Sequence, residues 1–269
     1  MDSIESEAGM ENLRTYGDAP FDIAVLHGGP GAAGEMAPVA RELSKDWGVL
    51  EPLQTAETLE GQVAELQAVL KEHAHGPVSL VGFSWGAWLG VILASRFPGL
   101  VKKLILVGCG PFYEADAQGI HERRMGRLTP EERAEVNRLM PSLNDPSEVV
   151  RDEVFGRFGA LFSKADAFDP LDNTMDEVMC SARIFKGVWP GADALRRRGD
   201  LLAMASTISC PVVAIHGDTD PHPAKGVQGP LSECLDDFRF ILLPRCGHKP
   251  WGERQARGRF FEVLRGELG

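Results

Sequence analysis

Residues 77–99 read PVSLVGFSWGAWLGVILASRFPG, and the order of textures in this run restricts the fold more than any other part of the chain. A short apolar stretch, sized for one buried strand, meets a turn with glycine on either side of Phe-Ser-Trp. A longer apolar segment of helical character follows, until Pro98 and Gly99 stop it. A strand that is apolar throughout and runs directly into a helix is the repeating unit of a parallel sheet covered on both faces.

The same alternation recurs along the chain. FDIAVLHGG (21–29) is an apolar strand ending in a glycine loop, EMAPVAREL (35–43) has helical spacing, and WGVLEPL (47–53) is strand-like. TLEGQVAELQAVLKEH (58–73) sets Leu59, Val63, Leu66 and Leu70 on one face of a helix. VKKLILVG (101–108) is a further strand. Beyond Gly110-Pro111 the texture changes: residues 111–205 hold no convincing strand and several charged helical stretches, TPEERAEVNRLM and DEVFGRFGALF among them. Strands resume with ISCPVVAIHGD (208–218) and DFRFILLP (237–244), and a helical segment closes the chain. The division predicted is an α/β core from residues 1–110 and 206–269, interrupted by a helical insertion at 111–205.

Composition narrows the function. The net charge of −11 over 269 residues, with no basic run longer than LRRRG at 195–199, argues against a nucleic-acid partner or an anionic membrane surface. The acidic start MDSIESEAGMENLR has no apolar core of a targeting segment, and no apolar run reaches the length of a membrane span. Five cysteines, at 109, 180, 210, 234 and 246, form no CxxC pair and no metal-ligand spacing. A cytoplasmic protein with free thiols, no metal and no cofactor is expected, acting on a small molecule; nothing in the pattern specifies an oligomeric state.

Open α/β sheets bind their ligands at the carboxyl ends of the strands, so the loops there carry the chemistry. G-x-S-x-G between strand and helix is the pattern of a nucleophile elbow: Gly82 and Gly86 leave room for a sharp turn on which Ser84 is exposed. The HGGPG loop (27–31) brings small residues close enough for backbone amides to hold an oxyanion. Gly29 is the preferred donor and Gly28 the next, paired with the amide of Trp85. His27 and Phe83 are expected to border the substrate, His27 mainly bracing the loop. A serine hydroxyl needs a base, and the base needs a group that fixes its tautomer. HGDTDPHP (216–223) and RCGHKPW (245–251) follow late strands and supply Asp220 and His248 in the order Ser, Asp, His; Asp218 competes as the acid. His222, between Pro221 and Pro223, reads as a turn residue, and His121 as a residue of the helical insertion that could touch substrate.

Together, HGGPG, GFSWG, HGDTDPHP and GHKPW resemble the α/β-hydrolase superfamily, with particular similarity to its proline-iminopeptidase-like branch. The resemblance covers roughly residues 20–110 and 206–269. It implies a mostly parallel central sheet flanked by helices, Ser84 as nucleophile, His248 as base and then acid, Asp220 as orienting carboxylate, and residues 111–205 as a cap that shapes the pocket. The D-x-R-G-x-G-x-S segment of the iminopeptidases is replaced here by EPLQTAETLEG, and their N-terminal strand pair is reduced to something near ENLRTYG. The expected activity is hydrolysis of a small ester or amide through an acyl-enzyme. The alternatives are an aminopeptidase releasing N-terminal proline and a non-catalytic small-molecule receptor on the same fold.

Overall fold

The computed structural model describes residues 12–145, 149–171 and 178–269; the acidic N-terminal run, up to residue 11, lies outside them. The chain begins with β1 (Leu13–Tyr16), β2 (Phe21–Leu26), the short β3 (Ala32–Ala33), α1 (Ala37–Leu43), β4 (Gly48–Pro52), α2 (Leu59–His73), β5 (Val78–Phe83), α3 (Trp85–Arg96) and β6 (Val101–Val107). Next come α4 (Glu114–Ala117), α5 (Ile120–Gly126), α6 (Pro130–Asn144), α7 (Asp152–Asp166), β7 (Met179–Cys180), α8 (Ala182–Arg198) and α9 (Asp200–Ala205). The last elements are β8 (Val212–Gly217), α10 (Lys225–Cys234), β9 (Phe238–Leu243) and α11 (Arg257–Leu268).

Seven strands form one sheet in the order β1-β4-β2-β5-β6-β8-β9. All neighbours run parallel except β1, which pairs antiparallel with β4 and occupies the stretch where only a reduced N-terminal strand was expected. Because side chains alternate along a strand, each central strand feeds two apolar layers. Ala24, Leu26, Leu80, Leu104, Leu106 and Ala214 pack towards α2, α3, α8 and α9. Val25, Val81, Phe83, Ile105, Val107 and Ile215 pack towards α1 and α11. Leu26, Leu80, Ile105 and Leu106 have no exposed surface, and each such side chain contributes about 1.5–3 kcal/mol of burial.

The helical stretch differs from expectation in two ways. Its C-terminal part is not a separate body, since Val188, Ala192, Leu195, Leu201 and Ala205 share the apolar layer of α2 and α3. It also carries a strand: β7 pairs antiparallel with β3 of the glycine loop, Ala32 opposite Cys180, and Ser181 N donates to Gly31 O at 2.8 Å. A two-residue strand is too short to show a period of two, so the sequence pattern gave no sign of it. Among the described residues, no helix is long and apolar enough to cross a membrane.

Candidate active site

The loops after β2, β5, β8 and β9 meet at the carboxyl edge of the sheet. Ser84 follows β5 at φ 51°, ψ −110°, in a region non-glycine residues seldom occupy, and serves as N-cap of α3 without a side-chain cap bond. The two glycines make this turn possible by close approach. A Cβ on Gly82 would stand 2.3 Å from Gly86 O, and one on Gly86 would stand 2.6 Å from both Leu26 O and His27 O. Ser84 N donates to Val107 O at 2.9 Å, which ties the turn to the end of β6.

After β8, Asp220 is buried and its carboxylate takes two histidines. His248 Nδ1 lies 2.7 Å from Oδ2, and His222 Nδ1 lies 2.9 Å from Oδ1. The backbone N–H of His222 also donates to Oδ1 at 2.8 Å, an Asx-type turn, and His216 Nε2 stands 3.5 Å from Oδ2. Burial alone would raise the Asp220 carboxyl, but the charges and hydrogen bonds of His248 and His222 outweigh it and hold the group well below the ordinary range. Asp218, the competing acid, is engaged elsewhere: its Oδ1 accepts from Cys246 N at 3.1 Å. The His248 ring stacks on His222 at 4.5 Å and meets the tilted ring of Phe83 at 4.7 Å, planes 52° apart. Its backbone N–H donates to Asp166 O at 2.9 Å, and Glu253 Oε1 accepts from Gly247 N just before it. The structure brings Asp220 and His248, both singled out in the sequence, into contact. Ser84 follows Phe83, whose ring centroid lies 4.7 Å from that of His248, and its side chain makes no cap hydrogen bond to α3.

The residues expected to hold an oxyanion separate into free and engaged. Trp85 opens α3, ahead of the intrahelical ladder, so its amide has no carbonyl within the helix to bond. Its indole Nε1 donates to Gln62 Oε1 at 3.0 Å, which fixes the residue. Gly29, at φ 30°, lines the cleft beside Ser84. Gly28 does not serve as expected: its N–H donates to Glu35 Oε2 at 3.0 Å. His27 and Phe83 likewise lie behind the site instead of bordering substrate. His27 has no exposed surface and sits between Gly28 O (2.7 Å) and Leu53 O (3.1 Å), bracing the loop, while Phe83 packs against His248 and Trp251.

Two clefts meet at Ser84. The larger, about 870 Å3, runs from Gly29 past Met140, Leu143, Phe155, Phe158 and Phe185. The smaller, about 290 Å3, is walled by Trp85, Trp88, Pro111, Ile120 and Arg196. His121, Arg124, Phe162, Trp189 and His222 border both. The charged groups at the walls come in matched pairs: Arg124 with Asp166 (2.6 Å), Lys249 with Glu35 (2.6 Å) and Arg196 with Glu114 (2.9 Å). Burial works against the Asp166 carboxylate, but Arg124 prevails and brings its pKa below the usual value. Asp220, His222 and His248 bring three metal-capable atoms within 4.8 Å of one another, with both Nδ1 atoms bonded to the carboxylate.

His222 is the site residue the sequence reading assigned to a mere turn. A signal for it was present. Asp220 and His222 each precede a proline, which biases both towards extended backbone, and residues two apart on extended chain point to one side. Arg124 and Lys249 had no such signal, because their approach depends on how the helices fold back over the sheet.

The fold agrees with the comparisons to known proteins. The chain belongs to the Alpha/beta hydrolase family, which it matches over residues 23–263. Enterobactin synthase component F of Escherichia coli (strain K12) is 28% identical over 122 residues, covering 42% of this chain but only 9% of that protein's length. Pimeloyl-[acyl-carrier protein] methyl ester esterase of Nitrosomonas europaea is 23% identical over 257 residues, 89% of this chain and 93% of that one. The enol-lactonase from Burkholderia xenovorans LB400 superposes with a TM-score of 0.62 at 18% identity, covering 95% of both chains. Hydrolases, esterases among them, are thus its relatives and structural neighbours.

Proposed function

We propose that the protein is a serine hydrolase that cleaves an ester of a small molecule with an apolar acyl group. The observation that carries this reading is the buried Asp220–His248 bond of 2.7 Å; a serine held at positive φ on the N-terminus of a helix supports it. Asp220 fixes the His248 tautomer with Nδ1–H towards the carboxylate, so the Nε2 lone pair is free to take the Ser84 proton. Ser84 Oγ then attacks the ester carbonyl, and the amides of Gly29 and Trp85 receive the oxyanion, aided by the dipole of α3. His248 passes its proton to the leaving alcohol, and water releases the acyl group from Ser84. Each oxyanion donor is worth about a hundred- to a thousandfold in rate.

Residues 111–205 act as a cap in this reading, and the aromatic wall of the larger cleft favours an apolar or aryl acyl chain. The full-length relative whose name specifies a methyl ester esterase supports ester over amide. A proline-iminopeptidase-like activity has less support: it needs a carboxylate for the substrate's ammonium, and the pocket-lining carboxylates Glu35 and Glu114 already hold Lys249 and Arg196. All five cysteines are unpaired, in keeping with a reducing, cytoplasmic setting.

The test is intact-protein mass spectrometry after incubation with a fluorophosphonate, wild type beside Ser84→Ala. One adduct on the wild type, absent from a folded Ser84→Ala that has also lost turnover of p-nitrophenyl esters by about ten-thousandfold or more, supports the reading. An unlabelled wild type, or a variant that retains turnover, overturns it in favour of a non-catalytic binding protein or different chemistry.

A further inference from the structure

His222 is built into the site more firmly than a turn residue requires. It shares the Asp220 carboxylate with His248, each ring bonding one oxygen through Nδ1, at 2.9 and 2.7 Å. The two rings are stacked, centroids 4.5 Å apart and planes 27° from parallel. With their Nδ1 ends converging on one carboxylate, their Nε2 ends lie on the far side from it. His222 Nε2 has no hydrogen bond to another described residue, and the ring, with 12% of its side chain exposed, borders both clefts where they meet at Ser84. Donating Nδ1–H to Asp220 fixes the tautomer, so Nε2 carries a lone pair.

Resting on the serine-hydrolase reading, we infer that His222 is a further catalytic residue whose Nε2 accepts a hydrogen bond from the water that hydrolyses the acyl-enzyme. One water hydrogen goes to His248 Nε2 as the water oxygen attacks the acyl carbon; the other is held by His222 Nε2. The new C–O bond forms, the bond from the acyl carbon to Ser84 Oγ breaks, and His248 returns the proton to Ser84 Oγ as the acid departs. His222 accepts a hydrogen bond and takes no proton. Burial supports this role, since it lowers the His222 pKa to about 4 and so keeps the ring neutral and accepting at ordinary pH. In acylation the nucleophile is Ser84 itself, so the loss of His222 Nε2 falls on the second half of the reaction.

Two isosteric substitutions separate this role from a purely structural one. His222→Asn places an amide N–H near the Nδ1 position, keeping a donor for Asp220 while removing the acceptor at the pocket. His222→Gln reaches the Nε2 position but gives up the Asp220 contact. With p-nitrophenyl butyrate in stopped flow, His222→Asn is expected to lose kcat by about tenfold to a hundredfold. KM falls by the same factor, kcat/KM stays within about threefold, and a burst of one equivalent of p-nitrophenol appears, with a butyryl adduct in the intact mass. His222→Gln, which restores an acceptor at the Nε2 position, is expected to recover kcat to several times that of His222→Asn. The reverse ranking, equal losses in both variants, no change in either, or a fall of kcat/KM in step with kcat overturns the inference. Fluorophosphonate labelling of Ser84 in the same samples keeps the outcomes distinct: labelled variants without the burst reject the role of His222 alone, whereas an unlabelled wild type rejects the serine-hydrolase reading.

Discussion

The sheet and the helices folded over it are held together by different means. In the sheet, Leu26, Leu80, Ile105 and their neighbours are wholly buried in layers that run the width of the molecule. Across α5 to α7 the buried apolar groups are few: Leu128, Val136, Leu161 and Ala165 in one cluster, with Leu143, Phe155 and Ala182 in another. Ion pairs supply much of the remaining contact there, among them Arg124–Asp166, Arg157–Glu135 and Lys164–Glu132, each at 2.6 Å. Arg124–Asp166 is largely buried, whereas Arg157–Glu135 and Lys164–Glu132 lie at the surface, where pairs of this kind add little to stability. The groups proposed to react follow strands of the sheet, and most of the pocket wall belongs to the loosely packed part. In the proposed mechanism, rate and selectivity are therefore supported by regions packed to different degrees.

The largest effect that probes this contrast lies in the sheet. Gly86→Ala drives a Cβ against Leu26 O and His27 O, backbone atoms that cannot rotate away. A loss of at least about 3 kcal/mol in global stability is expected, at the upper end of what overpacking costs, with activity falling as the Ser84 turn is displaced. Gly126→Ala, in α5 on the opposite side of the contrast, would place its Cβ with nothing within 4 Å and should leave the melting temperature almost unchanged. Thermal unfolding of the two variants side by side checks this; equal destabilisation would remove the distinction between the regions.

The same distinction governs what could be read from the sequence. Strands β2, β5, β6 and β8 each carry a buried, largely apolar run because both faces are covered there, and such runs are visible in the chain. The Ser84 turn was legible because its glycines answer a steric requirement within a few residues, and Asp220 and His248 because each follows directly on a strand. Contacts made across long sequence separations were not. The Gly28 amide bonding Glu35, the β3–β7 pair, and Arg124 meeting Asp166 above His248 all depend on the path of the helical stretch, which no local period encodes. The boundary at residue 205 was misleading for a similar reason. α8 and α9 look like their helical predecessors, yet Val188 and Leu201 are core residues because α2 and α3 offer an apolar face to receive them.

Next in size is the anchor between the two regions. Arg124 bonds Asp166 through Nε at 2.7 Å and a terminal nitrogen at 2.6 Å, and the Asp166 carbonyl in turn holds the backbone of His248. Arg124→Met leaves a buried carboxylate without its cation, a change that costs about 3 kcal/mol at such sites. Because the apolar clusters of α5 to α7 are small, the loss should appear as local opening of those helices. Limited proteolysis is the direct readout: faster cleavage between residues 114 and 171 with the sheet still protected is expected. Uniform loss of protection would mean that the helices and the sheet unfold as one unit.

The smallest effect isolates the pocket wall from the chemistry. Trp189 of α8 borders both clefts, stacks on Trp88 at 5.9 Å with planes 7° apart, and lies 6.2 Å from Phe185. It touches none of Ser84's expected partners, so removing it should weaken ground state and transition state alike, which raises KM and leaves kcat in place. An aromatic contact of this kind is worth about 1 kcal/mol beyond its buried area. Trp189→Ala is therefore expected to raise KM for p-nitrophenyl esters of long or aryl acids about tenfold, with little change for p-nitrophenyl acetate, whose acyl group is too short to reach the wall. A fall in kcat for the acetate ester would show instead that Trp189, through Trp88 and the first turns of α3, helps hold the Ser84 turn. The wall would then belong with the rigid part of the molecule.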